Sequence, residues 1–226
     1  MAKRPGRTLE EAVALAEAVL KEKDELREGA FRDAREIQRA AARVLRGGVG
    51  KSRASRAAAR EQLELASAHS RTLRRSLKAH PDLYDSGFLE TPLQELAEAY
   101  ILLARVEGSA VPTHEEIAVT PAAFLLGAAD AIGEFRRRLV DAMREGRIAD
   151  AEAELEAMEA AYAALSGIAL PDALVPIRKK MDVARSLLER SRGEVALAVR
   201  MREHEKAIRE ATRAEGGRKK RGRRKR

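Results

Sequence analysis

Four carboxylates stand in two of the most apolar stretches of this 226-residue chain: Glu95 and Glu98 in one, Asp130 and Glu134 in the other. Spacings of i,i+3 and i,i+4 place each pair on a single helix face, so two such helices packed side by side bring four carboxylates to one point. Clustered carboxylate oxygens without histidine or thiolate suit a hard divalent cation, Mg²⁺ or Mn²⁺, of the kind that activates water. The segment Pro121 to Ala129 carries no charge, and Ala99 to Ala104 is apolar on every side. A carboxylate at the edge of such a segment must be solvated, paired or bound to metal. The plain alternative is a solvated face on which Asp130 or Glu134 pairs with Arg137 or Arg138.

Helices must position these acids. At about 100° per residue, Phe124, Leu125, Ala128, Ile132, Phe135, Leu139 and Met143 form the main apolar stripe of the second segment, and Asp130 and Glu134 lie opposite it with Ala123 and Gly127. Small residues on that face let another helix or a ligand come close.

A first helix starts at Thr8, whose hydroxyl forms a capping box with Glu11, and runs to about Arg46, where Gly47, Gly48 and Gly50 stop it. A second spans about Ser52 to Leu77 or Lys78, ahead of the His80-Pro81-Asp82 turn. Thr91-Pro92 opens a third, with Gln94 at the capping-box position, and Glu107-Gly108 closes it. Thr120-Pro121 opens a fourth that ends by Gly146. A fifth covers about Ile148 to Leu165, and the last runs from about Ile177 to Arg213, with Asp182, Arg185, Glu189 and Arg192 spaced for ion pairs along it. No stretch alternates with strand period. The expected fold is all-α, a bundle of six or seven long antiparallel helices. About 38 residues make the first helix roughly 57 Å long, more than a compact domain of this size needs, so its surplus length belongs between subunits.

Tryptophan and cysteine are absent and only seven residues are Phe or Tyr. That composition fits helices rather than a β core, and it excludes disulfides and thiolate metal sites. No apolar run approaches the roughly 20 residues of a membrane span, and the basic start MAKRPGR leads into an amphipathic helix without a signal-peptide core. A soluble, cytoplasmic protein is expected. The net charge of +8 lies in the tail, where eight Lys and Arg follow Gly216 and Gly217; removing them from the total of 44 leaves 36 against 36 Asp and Glu. The chain therefore divides into a basic arm (1–7), a helical domain (8–213) and a basic tail (214–226) expected to be disordered and available to phosphates.

Two basic stripes stand on the first two helices. Arg32, Arg35, Arg39, Arg43 and Arg46 fall within roughly 80° of one another, with Ile37, Ala41 and Val44 opposite. Arg53, Arg56, Arg60, Arg71, Arg74 and Lys78 repeat the pattern. Solvated faces and nucleic-acid contacts both use such stripes. With so few aromatic rings to stack bases, recognition would depend on phosphate charge more than on base identity. The run Arg46 to Ser52 looks like a P-loop, but Leu45 stands where the pattern requires glycine and a helix, not a strand, precedes it. His69, His80, His114 and His204 are too scattered for a zinc site, and His69 falls toward the apolar side of its helix as a packing residue.

The segments Leu93-Gln94-Glu95-Leu96-Ala97-Glu98-Ala99 and Phe124-Leu125-Leu126-Gly127-Ala128-Ala129-Asp130-Ala131-Ile132-Gly133-Glu134 resemble the translin family, especially translin-associated factor X and its archaeal relatives. The family motifs read roughly Gln-Glu-Tyr-x-Glu-Ala and Leu-Leu-Gly-x-x-Asp-Leu-x-Gly-Glu, and Leu96 and Ala131 depart from them. Similarity also reaches Phe31 to Ile37 and Ile177 to Arg185, so it covers most of residues 9–213. The resemblance implies that Glu95, Glu98, Asp130 and Glu134 bind Mg²⁺ and cleave RNA, that single-stranded RNA or DNA is the partner, and that the chain assembles into a hollow homo-octamer. The alternative it implies is a plain translin-type binding protein without catalysis.

Overall fold

In a computed structural model of the chain, residues 7–47, 49–50, 52–84 and 86–223 are described, the side chains of 214–223 excepted. Among them lie seven α-helices and no strand: α1 (Leu9–Gly47), α2 (Arg53–Ser76), α3 (Pro81–Tyr84), α4 (Gly87–Glu107), α5 (Pro121–Arg144), α6 (Ile148–Ser166) and α7 (Arg178–Arg223). None is long and apolar enough to cross a membrane. Of the glycine turn after α1, Gly48 and Lys51 lie outside the described residues.

The helices form two compact units, Met1–Ala131 with Ala173–Val175, and Ile132–Asp172 with Pro176–Arg226. In the first, α1 and α4 run parallel: Phe31 stacks on Phe88 with ring centroids 4.2 Å apart, and two turns on Gln38 donates to Glu95 at 3.1 Å. α2 runs antiparallel to α4, because Ser67 meets Tyr100 while Arg60 meets Glu107. Ile37 and Ala41 of α1, Leu63, Ala66 and Leu73 of α2, and Leu93, Leu96 and Ala97 of α4 are buried to 0–1% exposure and form the core of this unit. The alanines on α1 keep the helices near one another, and the leucines supply most of the apolar area.

Local signals place the helix ends. The predicted capping box is formed, with Thr8 N donating to Glu11 at 3.0 Å and Glu11 N to the Thr8 hydroxyl at 3.2 Å. Ser52 caps α2 by accepting from Ser55 N, and Thr120 caps α5 by accepting from Ala123 N. Gly108, at φ 66°, closes α4 in the left-handed region that a side chain disfavours. Two boundaries differ from expectation. α4 begins at Gly87, after the extended Ser86, which leaves Pro92 inside the helix. Burial of Leu89 and the Phe88–Phe31 stack hold the extra turn, which offsets the backbone hydrogen bond that proline cannot donate. α7 passes Arg213 and continues to Arg223, because lysine and arginine are good helix formers and extending an existing helix needs no new nucleus.

The second unit is built on the end of α5 with α6 and α7. Arg138 Nε donates to Glu154 at 3.0 Å across the α5–α6 hairpin, and Arg192 donates to Glu159 while Arg185 donates to the Tyr162 hydroxyl across antiparallel α6 and α7. Arg185 and Arg192, expected to pair along their own helix, thus reach across to α6. Arg136, 15% exposed, grips Glu194 of α7 with two hydrogen bonds of 2.8 and 2.9 Å and donates a third to the fully buried Ser191. The Arg136 guanidinium holds the Glu194 carboxyl below its ordinary value of 4.5. A carboxyl with a lowered folded-state pKa stabilises the fold above its unfolded value, and that contribution is lost as pH falls through the folded one. The melting temperature of the wild type should therefore drop below about pH 4.5 more steeply than that of Glu194→Gln, as read by circular dichroism; equal slopes would remove Glu194 from the acid sensitivity.

Candidate nucleic-acid and acidic site

Within the first unit, α5 runs antiparallel to α4, and at Gly127 it comes close to the α4 backbone. A Cβ placed on Gly127 would lie 2.5 Å from the Gln94 carbonyl oxygen, 2.9 Å from Ala97 Cβ and 2.9 Å from Glu98 N. The small face of α5 predicted from Ala123 and Gly127 is thus the face that meets α4, with Ala123 fully buried. Phe124, Leu125 and Ala128, assigned to the buried stripe, are half-exposed instead.

This contact puts α4, which carries Glu95 and Glu98, against the turn of α5 that carries Asp130. Each acid is half-buried, and two are held by amides. Gln38 Nε2 of α1 donates to Glu95 at 3.1 Å, and Gln94 Nε2 donates to Asp130. Gln94, expected at a capping-box position, instead bridges α4 to α5, since its helix had already begun two turns earlier. Glu134 stands one turn beyond Asp130 on α5, in the second unit, with Oε2 2.5 Å from Arg137 Nη2. Distance suits an ion pair there, but Oε2 is buried and accepts no aligned hydrogen bond. For Glu134, the i,i+3 pairing with Arg137 foreseen as the plain alternative is present.

The donor types suit a hard divalent cation: carboxylate oxygens, flanked by two side-chain amides, with no histidine or thiolate among them. Among the described residues, however, no three His, Asp or Glu side chains are arranged as a group that could hold a metal ion. Here the amides engage Glu95 and Asp130, and Arg137 lies beside Glu134.

The arginine stripes are displayed as predicted. Arg32, Arg35, Arg39, Arg43, Arg46, Arg53, Arg60, Arg71 and Arg74 are exposed and Arg56 is half-exposed, while Ile37, Ala41 and Val44 are buried behind the first stripe. Several are already engaged: Arg39 pairs with Glu36, Arg60 with Glu107, and Arg71 donates to the Glu116 carbonyl at 2.9 Å. At the start of α2, Arg53, Arg56 and Arg60 line a cleft of about 290 Å³ together with Glu61, Glu64 and Glu107. Nothing in the sequence pointed to this cleft, since Glu107 reaches it from the far end of α4. Beside the second stripe, burial pushes the Tyr100 hydroxyl above its ordinary value of 10, only partly offset by its hydrogen bond with Ser67. His69, read as a packing residue, is half-exposed and hydrogen-bonded to Asp33 at 3.0 Å.

The fold and this site define an all-α protein of long helices that carries acids at one interhelix contact and arginines along two faces. No model of a known protein family matches the sequence. An uncharacterised protein of Methanocaldococcus jannaschii is 31% identical over 137 residues, which are 59% of this chain and 61% of that protein, so the match spans under two thirds of the relative. The crystal structure of AfC3PO superposes with a TM-score of 0.72 at 30% identity, covering 84% of this chain and 98% of that one. A structure of AfC3PO with duplex RNA gives 0.68 at the same identity and coverage, and apo-NeC3PO, 21% identical, shares the fold at 0.65. The chain belongs to the translin family, of which the C3PO proteins are members.

If Gly127 sets the α4–α5 spacing, Gly127→Leu should destabilise the protein by about 1–3 kcal/mol, the cost of overpacking. Chemical denaturation would read this as a lower midpoint; an unchanged midpoint would show that α5 can shift without penalty.

Proposed function

We propose that this chain is an RNA-binding protein of the translin type that acts as a Mg²⁺-dependent endoribonuclease through Glu95, Glu98, Asp130 and Glu134. The observation that carries this reading is the contact at Gly127, which sets the Glu95–Glu98 helix against the Asp130 turn in a chain 30% identical to a protein solved with duplex RNA. Bound Mg²⁺ would supply charge neutralisation at a phosphate oxygen and a water of lowered pKa. The carboxylates would hold the ion, with one of them orienting water. Gln38 and Gln94 would fix the orientation of Glu95 and Asp130, as supporting amides and carbonyls do around metal ligands. Exposed arginines on α1 and α2 would hold the backbone through phosphates, with little base selectivity.

A second reading is a non-catalytic binding protein for single-stranded RNA or DNA. The hydrogen bonds from Gln38 and Gln94 to two of the four acids, with the Arg137 cation beside a third, favour it, because a carboxylate already engaged by protein donors or charge has less to gain from a metal. The readings separate on labelled RNA, single-stranded and duplex, with Mg²⁺ or EDTA. The enzyme reading expects metal-dependent cutting that Asp130→Asn and Glu134→Gln abolish with binding intact. Gln94→Ala should cost roughly 10–100-fold, as the loss of a supporting residue does. Equal binding with no cutting by the wild type would establish the second reading.

Self-association into a closed octamer in the cytoplasm completes the proposal. Leu9, Val13, Val19 and Leu20 on α1 are 56–79% exposed, and buried residues on that helix begin only at Ala30. An apolar face of this length needs a cover, and copies of the chain supply one. Light scattering should give a multiple of the 24.8 kDa chain mass, reduced in Val19→Asp/Leu20→Asp; a monomeric wild type would refute assembly.

A further inference from the structure

Two helices extend bare from the units they belong to. Every residue from Leu9 to Glu22 of α1 and from Arg200 to Arg213 of α7 is exposed, a length of roughly 21 Å in each case. Each carries an apolar stripe of the same spacing, steps of four, three and four residues: Leu9, Val13, Ala16 and Leu20 on α1, and Leu197, Met201, His204 and Ile208 on α7. Such steps keep side chains on one seam of a two-stranded coiled coil. The six large apolar residues among them are 54–79% exposed. On α7 the seam lies roughly 140° around the helix from Ala184, Leu188, Ser191 and Val195, which are buried within its own unit. A helix gains most of its stability by packing its apolar face, so both stripes need a cover.

Charge selects the cover. From Leu9 to Glu22 four glutamates stand against one lysine, and from Leu197 to Arg213 five Arg and Lys stand against three glutamates. These are net charges, so the ion pairs within each stretch, Lys21 with Glu17 and Arg209 with Glu205, are already counted. Two α1 stripes together would set acid against acid, and two α7 stripes base against base; only α1 on α7 joins opposite charges. Direction follows as well. With the helices parallel, Leu9 meets Leu197, Leu20 meets Ile208, and Ala16 leaves room for the larger His204. Glu10 and Glu17 then flank the seam on the side of Arg200, whereas the antiparallel arrangement sets them on the side of Glu205. The packed part of α1 is C-terminal to its stripe and that of α7 is N-terminal to its own, so parallel pairing also keeps the two bodies at opposite ends of the seam.

We propose that the N-terminal stripe of α1 in one copy of the chain pairs in parallel with the Leu197–Ile208 stripe of α7 in a second copy. This rests on the self-association reading and names the two surfaces that meet. Because they differ, each copy gives one and receives the other.

The chain has no cysteine, so introduced thiols report only on themselves. Full-length Ala16→Cys and His204→Cys proteins with different affinity tags would be co-expressed, checked for wild-type helicity by circular dichroism and wild-type mass by light scattering, then oxidised and run on a non-reducing gel. A disulfide requires Cα atoms within about 7 Å. The co-expressed pair should give a crosslinked dimer that carries both tags, and each variant alone should stay uncrosslinked. Val13→Cys with Met201→Cys repeats the test one layer away and should give the same result. A dimer from Ala16→Cys alone would mean that α1 pairs with α1, and one from His204→Cys alone that α7 pairs with α7; either overturns the proposal. A dimer from co-expressed Leu20→Cys and Leu197→Cys, which face one another only in the antiparallel arrangement, overturns the direction. An assembled wild type whose co-expressed variants crosslink in neither layer overturns the pairing and leaves self-association in place. A monomeric wild type overturns the self-association reading and the pairing with it.

Discussion

The absence of one methyl group governs the acidic site. α5 lies so near α4 that a Cβ on Gly127 would overlap two backbone atoms, the Gln94 oxygen and the Glu98 nitrogen. Backbone cannot rotate away as a side chain can, so any larger residue must drive the helices apart. At the observed spacing Gln94 can bridge from α4 to Asp130. A wider gap would strand the half-buried Asp130 without this amide donor, a loss costing about 1–3 kcal/mol. The contact thus couples packing to chemistry: the small residue that lets the helices close also decides which polar atoms can meet.

Charge is distributed by the same economy. Away from the basic tail the chain is formally neutral, yet the α1 and α2 surfaces are lined with arginine because acids elsewhere are used internally, as in Arg138–Glu154 and Arg136–Glu194. A local positive field arises from placement rather than from net charge. Inside the second unit these partly buried pairs are hydrogen-bonded, which is the condition for a desolvated ion to be tolerated. On the first two helices most of the guanidiniums lie at the surface, several of them engaged by Glu36, Glu107 and the Glu116 carbonyl.

Much of the molecule was legible from neighbours along the chain. The Thr8–Glu11 capping box, Ser52 and Thr120 at the starts of α2 and α5, Gly108 at the end of α4, and the inward Ile37–Ala41–Val44 stripe follow from signals within four residues of the position concerned. The small face of α5 was also legible, because Ala123 and Gly127 recur at helical spacing beside Asp130. At the start of α4 the reading missed because a distant residue had intervened. Thr91-Pro92 is a strong local start signal, but Phe31 lies 57 positions away and its stacking on Phe88 draws the helix start back to Gly87.

By itself, then, the sequence determined the six long helices and most of their ends, the acidic residues that share a face, and the arginine stripes, because periodicity and capping depend on a few bonded neighbours; the short α3 stands where the sequence reads as a turn. Tertiary structure alone decided that Gln94 bridges helices instead of capping one, that Arg185 and Arg192 pair across to α6, that His69 meets Asp33, and that Glu107 joins Arg53 and Arg56 around a cleft. Each of these depends on which side chain arrives from a remote segment, and that is set by how the apolar faces close on one another.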